Sequence, residues 1–445
     1  MASKAYTNVF SLGEQKLTAE HDLDYGQKME RAIDVQLIDT NLYMSKELHL
    51  PLGARGVFGG QIVAQALKAA WDTVPDNFFV HSLHSYFILA CSVESPVIYA
   101  VQRIRDGRSF STRIVKATQK GKAIFTCICS FAKSEEGYVL NHQTEMPDVP
   151  SPESLPTDIE VYRNAYRSIH NPPRRFLKRL ENRIKDAGVM EYVNVTIDST
   201  EDVVAGNTKP RRRDQRWFRT RGKLTDDMKL HACSIAFASD AAFLNTAAVA
   251  HGLTFSSEAI GMMTSLDHSI WFHAPARADD WLLYDKHSPR TNGGRGVAFG
   301  RIYSRDGTLV VTTAQEGVVR LSKEEQEKRL KEAEKEAKMV QGNPINGYKL
   351  FKAHCFQCHT VEENGTNKQG PNFHGIFGRK TGQVPGNPYT VASLERDITW
   401  DEETLNINLS NPRMYILGTR VVFVELKKEK DRADVTAYLK HLKNC

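Results

Sequence analysis

No stretch of this 445-residue chain approaches the ~18 consecutive apolar residues of a membrane-spanning helix, so no membrane span is expected. Cysteine is scarce, and seven thiols in this length do not make a disulfide scaffold. Four of them, Cys91, Cys127, Cys129 and Cys233, lie in apolar strand-like runs and read as reduced core residues. Charge of one sign is not in large excess either. A net charge of +6 permits an anionic small molecule but is too weak to argue for nucleic acid. Met1 to Lys16 lacks the apolar core of a secretory leader and the Arg-rich, acid-poor pattern of a transit peptide. The length exceeds what one core can serve and predicts roughly two to four domains.

Against this plain background one run stands out, Cys355-Phe-Gln-Cys358-His359. Two thiols separated by two residues can each add to a vinyl group of one haem, and the adjacent imidazole then faces the iron. A thioredoxin-like redox pair would want a βαβ setting, and a zinc site a second ligand pair at suitable spacing. Neither is visible, so the motif predicts covalent haem, with Cys355 and Cys358 as attachment points and His359 as axial ligand.

Residues 322–341 mark the clearest boundary. Glu324 with Lys328, Glu327 with Lys331, and Glu334 with Lys338 are acid-before-base pairs at helical spacing. With almost nothing apolar to bury, the segment predicts a solvated helical spacer of roughly 25–30 Å, stopped by Gly342 and Pro344. Ahead of it the chain carries an internal duplication. Ser82-Leu-His84-Ser85-Tyr-Phe87 is echoed by Ser265-Leu-Asp-His268-Ser269-Ile-Trp-Phe272. Alternating β-type runs follow each copy: 96–104, 109–119 and 122–133, then 281–287, 296–304 and 308–320. Asp106-Gly107 and Asp306-Gly307 supply hairpin signals. One apolar helical stretch precedes each echo, Gly60–Trp71 and Ala241–Ala250. A helix followed by an antiparallel meander, twice over, predicts a long helix wrapped by a curved sheet, repeated. Residues 140–205 join the halves, with a loop from Pro147 to Pro156 and a helix-leaning stretch over 158–188.

Phe58-Gly59-Gly60-Gln61, His81-Ser-Leu-His-Ser-Tyr86, Ser265-Leu-Asp-His-Ser-Ile-Trp-Phe-His-Ala-Pro275 and Ala314-Gln315-Glu316-Gly317 resemble the double-hotdog acyl-CoA thioesterase II family, across residues 8–321. The resemblance implies an α+β double hotdog acting on fatty acyl-CoA without a cofactor, and a homo-oligomer built through the hotdog domains. It also implies an aspartate, a hydroxyl residue and a glutamine that share one nucleophilic water. Matched by motif, these are Asp240, Ser265 and Gln315. A carboxylate base with a hydroxyl and an amide holding the water suits a thioester, whose carbonyl is electrophilic enough for direct attack. Each has a plainer reading: Asp240 as an N-cap, Ser265 as a strand serine, Gln315 as a polar residue ending a strand. His84, His268 and His273 invite a Ser-His-Asp reading, but no Gly-x-Ser-x-Gly elbow exists, and the resemblance makes them structural. The basic stretch Lys209-Pro-Arg211-Arg212-Arg213 with Arg216, Arg219 and Arg221 reads as a charged strand edge, ahead of a contact with coenzyme A phosphates.

Residues 342–445 resemble mitochondrial cytochrome c, through Gly347-Tyr-Lys-Leu-Phe351, Cys355 to Thr360, Gly370-Pro371-Asn-Phe-His374-Gly-Ile-Phe-Gly-Arg379-Lys-Thr-Gly-Gln, Tyr389-Thr, Trp400, Asn411-Pro-Arg-Met-Tyr415-Ile and Arg432-Ala-Asp-Val-Thr-Ala-Tyr438-Leu. The resemblance implies an all-α class I haem domain whose first helix packs on its last through Val435, Tyr438 and Leu439. Pro371 would orient His359, and Arg379, Tyr389 and Trp400 would hold a propionate. The distal segment departs from the family. Tyr415-Ile-Leu417-Gly-Thr419-Arg-Val421 places Val421 where methionine supplies the sixth ligand, Leu417 replaces a proline, and Asn408 a tyrosine. Met414 lies outside the ligand position.

The sequence therefore predicts a first hotdog over 1–140, a connection over 141–205, a second hotdog carrying the catalytic residues over 206–321, the linker over 322–341, and a haem domain over 342–445. The leading function is acyl-CoA hydrolysis fused to a c-type haem domain with altered distal ligation. The rivals are a haem electron-transfer or peroxidase-like protein, meeting redox partner proteins, with the hotdog as passenger, and a joining of two separate coding sequences. Covalent haem would require the mitochondrial intermembrane space, whereas the thioesterase resemblance allows cytosol or peroxisome. The terminal Lys443-Asn-Cys445 is not a peroxisomal Ser-Lys-Leu signal.

Overall fold

The computed structural model describes residues 24–442 apart from 52, 53, 55, 136, 138, 139, 186, 187, 340, 341, 396, 411 and 417–425. Expectations at Met1–Lys16, Leu417, Val421 and Lys443–Cys445 lie outside the described residues. The chain divides into two compact units, Met1–Lys323 and Glu324–Cys445. No helix among the described residues is long and apolar enough to cross a membrane.

The first unit runs α1 (Tyr25–Ile33), β1 (Val35–Asp39), β2 (Leu42–Ser45), α2 (Gly59–Trp71), β3 (Phe79–Phe87), β4 (Ile98–Asp106), β5 (Phe110–Gln119) and β6 (Lys122–Ala132). A connection follows with α3 (Asp158–Ser168), α4 (Arg174–Lys185), β7 (Met190–Asn194) and α5 (Thr200–Ala205). The second half adds β8 (Arg213–Thr220), α6 (Met228–Ser239), α7 (Asn245–Val249), β9 (Ile260–Ser265), β10 (Asp267–Phe272), β11 (Leu282–Asn292), β12 (Arg295–Ser304) and β13 (Leu309–Leu321). The strands form one sheet in the order β1-β2-β4-β5-β6-β3-β10-β13-β12-β11-β8-β7, with β9 on β13. The two halves join where β3 pairs antiparallel with β10, His84 opposite Ser269.

The two central helices lie together in this sheet's core. An added Cβ at Gly60 would fall 2.2 Å from the Phe237 carbonyl, so only glycine allows α2 this close to α6. The rings of Phe58 and Phe237 meet edge-on at 4.9 Å. α2 is buried almost all round, two glutamines included. Those are satisfied: Gln65 donates to the carbonyls of Ala32 and Glu47 at 2.9 Å and accepts from the Tyr99 hydroxyl at 2.7 Å.

The second central helix is not the expected Ala241–Ala250 but α6, capped by Asp227, whose side chain accepts from Lys229 N. Residues 241–250 form a tight turn, with Ala242 left-handed at φ 51°, and then the short α7. The physical reason is that polar residues, His231, Ser234 and Ser239, interrupt the apolar run of α6 although they are buried with it. The basic stretch is corrected as well. β8 lies between β11 and β7, not at an edge, and two of its arginines are paired: Arg213 holds both oxygens of Asp285, and Arg219 the Glu191 carboxylate at 2.8 Å.

In the second unit the charged segment is α8 (Lys323–Met339), where Glu325 pairs with Arg329 at 2.7 Å. α9 (Pro344–His354), α10 (Val391–Glu395), α11 (Glu402–Ser410), α12 (Pro412–Tyr415) and α13 (Glu429–His441) complete it. A Cβ at Gly347 would lie 1.9 Å from the Asp434 carbonyl, which explains glycine where α9 meets α13. Phe351 and Tyr438 pack there at 5.6 Å between ring centres. The nearly buried Asp434 accepts from Asn343 N and Asn346 Nδ2, fastening the start of α9.

Candidate functional site

Asp240, Ser265 and Gln315 come from three separate elements and meet. Asp240 stands at the C-terminal end of α6, not at an N-cap. Ser265 closes β9 opposite Gly317 of β13, and Gln315 sits two residues earlier on β13, hence on the same face. Gly317 is required by closeness: a Cβ there would fall 2.3 Å from Leu244 Cδ2. Gln315 Nε2 donates to Asp240 Oδ1 at 2.7 Å and to Ser265 Oγ at 2.9 Å. Both amide hydrogens are therefore used, which fixes the amide plane. Its Oε1 is buried without a partner.

Two backbone features, missed in the sequence as site residues, complete the cluster. Asp240 accepts from the Gly60 N–H in the first turn of α2, and a Cβ on Gly59 would lie 2.8 Å from Asp240 Oδ2. The first half thus brings the positive end of its central helix to a carboxylate of the second half. Burial raises the Asp240 pKa, opposed by the hydrogen bonds from Gln315 and Gly60. The turn after it, with left-handed Ala242, separates α6 from α7 and opens a cavity of about 540 Å³ lined by Asp240 and Ser265.

His268 takes no part in a triad. It is fully buried, its Nε2 lies 2.8 Å from Ser239 Oγ, and burial holds its pKa at about 3. Ser239 Oγ donates to the Ala236 carbonyl and Tyr284 Oη donates to the Ser239 carbonyl, so this network secures the end of α6. His84 and His273 pair with Ser269 and Thr312 at 3.0 and 2.8 Å.

The second unit has its own cluster. Cys355 and Cys358 are free thiols, and burial pushes the Cys355 pKa up to about 12. His359 Nδ1 lies 2.8 Å from the Pro371 carbonyl, which fixes the proton on Nδ1 and leaves Nε2 as a lone-pair donor. A Cβ on Gly370 would stand 2.3 Å from His359 Cε1, so glycine is needed beside the ring. This donor set fits a c-type haem: two thiols for attachment and one imidazole of fixed tautomer. Arg379 donates to the carbonyls of His374 and Asn372, Tyr389 lies within electrostatic reach of it, and Trp400 packs on the unit's core.

A sheet-wrapped helix repeated in tandem, with a carboxylate, amide and hydroxyl meeting at the junction, defines a double-hotdog protein. Residues 48–132 match the acyl-CoA thioesterase N-terminal domain, 167–319 the acyl-CoA thioesterase C-terminal domain, and 345–443 cytochrome c. Acyl-coenzyme A thioesterase 8 of Mus musculus is 42% identical over 299 residues, covering 67% of this chain and 90% of that protein. Cytochrome c of Kluyveromyces lactis is 49% identical over 104 residues, covering 23% of this chain and 93% of that protein. The crystal structure of an acyl-CoA thioesterase II from Mycobacterium marinum aligns with a TM-score of 0.51 at 32% identity, over 66% of this chain and 98% of its own. The chain belongs to the acyl-CoA thioesterase family through its first unit and carries a cytochrome c domain in its second.

Proposed function

We propose that the first unit hydrolyses fatty acyl-CoA by direct attack of one water, with Asp240 as general base. The observation that carries this is the Gln315 amide bridging Asp240 and Ser265. Asp240 takes a proton from the water as its oxygen bonds to the thioester carbonyl carbon. The resulting oxyanion collapses, the carbon–sulfur bond breaks, and Asp240 returns the proton to the departing thiolate. The products are a free fatty acid and CoA. Gln315 and Ser265 hold the water, and the N-terminus of α2 favours the negative charge that develops beside it. No covalent acyl-enzyme is required. The full chain should release CoA thiol from acyl-CoA, and its intact mass during turnover should show no acyl adduct. A stable adduct on Ser265 would replace this reading with a nucleophilic one.

The second unit is proposed to hold haem c through Cys355 and Cys358, with His359 Nε2 on the iron and Arg379, Tyr389 and Trp400 toward a propionate. Such a haem supplies one-electron redox chemistry when bound. Val421, at the position where the family carries methionine, has no donor atom, so His359 is proposed as the single protein ligand. We also infer a homo-oligomer through the hotdog unit, supported by exposed Tyr86, Phe110 and Ile128 on its sheet. Light scattering at the monomer mass would refute it.

A further inference from the structure

The cavity that begins at Asp240 and Ser265 opens to solvent beside two apolar side chains, Phe255 at 55% exposure and Ile197 at 46%. The loop that carries Phe255 is pinned. Phe255 N donates to Asn245 Oδ1 at 2.8 Å, Ser257 Oγ to Asn207 Oδ1 at 2.7 Å, and Thr208 N to the Gly252 carbonyl at 3.1 Å. Helix α4 clasps the loop as well: Arg179 Nη1 donates to the Ser256 carbonyl at 2.9 Å, and Arg175 pairs with Glu258. A backbone held this firmly, with its phenylalanine turned out to water beside a second apolar side chain, points to an apolar contact outside the chain.

The charges around this opening are of one sign. α4 spends its apolar stripe inside the protein, where Phe176 and Leu180 are buried, so the helix bears cations on its outer side and does not itself insert. One row, Arg175 and Arg179, is taken up by the loop. Arg174 and Lys178, one turn apart in the adjacent row, are exposed and, among the described residues, carry no ion pair. The same holds for Lys209 and Arg212, on the segment that runs beside Gly252. Two acids nearby are already used, Glu258 by Arg175 and Glu181 by Lys185.

We propose that α4 and the 252–258 loop dock the first unit on a bilayer containing anionic phospholipid, with Phe255 in the interfacial layer. Headgroup phosphates meet the four free cations, each strengthening attachment by about 5-fold. The interface takes the phenylalanine, and the cavity then opens onto the phase in which amphiphilic acyl chains dissolve. An acidic protein would answer the charges but gives no reason for an acyl cavity to open at the contact.

The test is sedimentation of the full chain with vesicles of phosphatidylcholine alone or of equimolar phosphatidylcholine and phosphatidylglycerol. Wild type is expected to bind the mixed vesicles at least ~10-fold more tightly, with the preference shrinking as salt is raised. Arg174→Glu with Lys178→Glu should lose at least ~10-fold on mixed vesicles, and the milder Arg174→Gln with Lys178→Gln a smaller share. Phe255→Ser should weaken binding while leaving its salt dependence in place. Hydrogen exchange should show vesicle-induced protection at 174–178 and 252–258. Equal binding to the two vesicles, unchanged binding in the charge-reversed variant, or protection confined to the second unit would overturn the proposal. Tighter capture by polyglutamate than by mixed vesicles would overturn it too, in favour of an acidic protein. Sedimentation does not depend on turnover, so failure to release CoA thiol would remove the thioesterase reading and leave this result standing.

Discussion

Gln315 uses both amide hydrogens to hold Asp240 and Ser265, so its loss should free both groups at once. Gln315→Ala is expected to lower turnover at least ~100-fold, as for removal of a group that positions the attacking water. The pH profile carries a second signature. Asp240 acts deprotonated, and burial raises its pKa, so the rate should fall as pH drops through a midpoint above the ordinary carboxylate value of ~3.9. Gly59→Ala would place a Cβ 2.8 Å from Asp240 Oδ2 and 2.9 Å from Phe87 Cε1, so turnover should fall together with some stability, the helix propensity gained being outweighed by the crowding. His268 gives the opposite pattern. Its folded pKa is depressed to about 3, so its contribution is intact above the unfolded value near 6.5. That contribution is lost progressively as pH falls from there toward 3. Urea midpoints for His268→Asn should show a flatter acid limb than wild type across that window.

At the scale of elements, the sequence was legible where a strand or helix has two different faces. The meander strands expected at 96–104, 109–119 and 122–133 appear as β4, β5 and β6, and those at 281–287, 296–304 and 308–320 as β11, β12 and β13. α6 escaped because His231, Ser234 and Ser239 interrupt its apolar run, while the alanine-rich run after it imitates a helix. β8 was legible as a strand-like basic run but not as an interior one, because the carboxylate that pairs with Arg213 lies on β11, far along the chain. The trio at the site came from motif resemblance. Composition alone could not have joined α6, β9 and β13, nor shown that the Gly60 amide serves a carboxylate from the other repeat. In the second unit, the spacing of Cys355, Cys358 and His359 together with its flanks is what made the proposed haem site legible in the sequence. Val421→Met should therefore restore sulfur ligation, read as the weak long-wavelength band of methionine-bound ferric haem and a raised potential. Absence of both changes would show that more than one residue separates this distal segment from methionine ligation.

At the scale of the whole molecule, the two units have separate cores and are joined through the charged helix α8, whose Leu330 is exposed. Thermal unfolding should resolve two transitions, one following haem absorbance and one following thioesterase activity. The rate of thiol release should also be the same before and after dithionite reduction; a change on reduction would mean that the units communicate. The central claim, that Asp240 activates the water that cleaves the thioester, is tested most directly by CoA thiol release from the full chain carrying Asp240→Asn. This substitution keeps the shape of the side chain and removes its basicity. The account predicts a loss of at least ~100-fold in kcat with the unfolding temperature close to wild type. Turnover within a few-fold of wild type in that variant would contradict it.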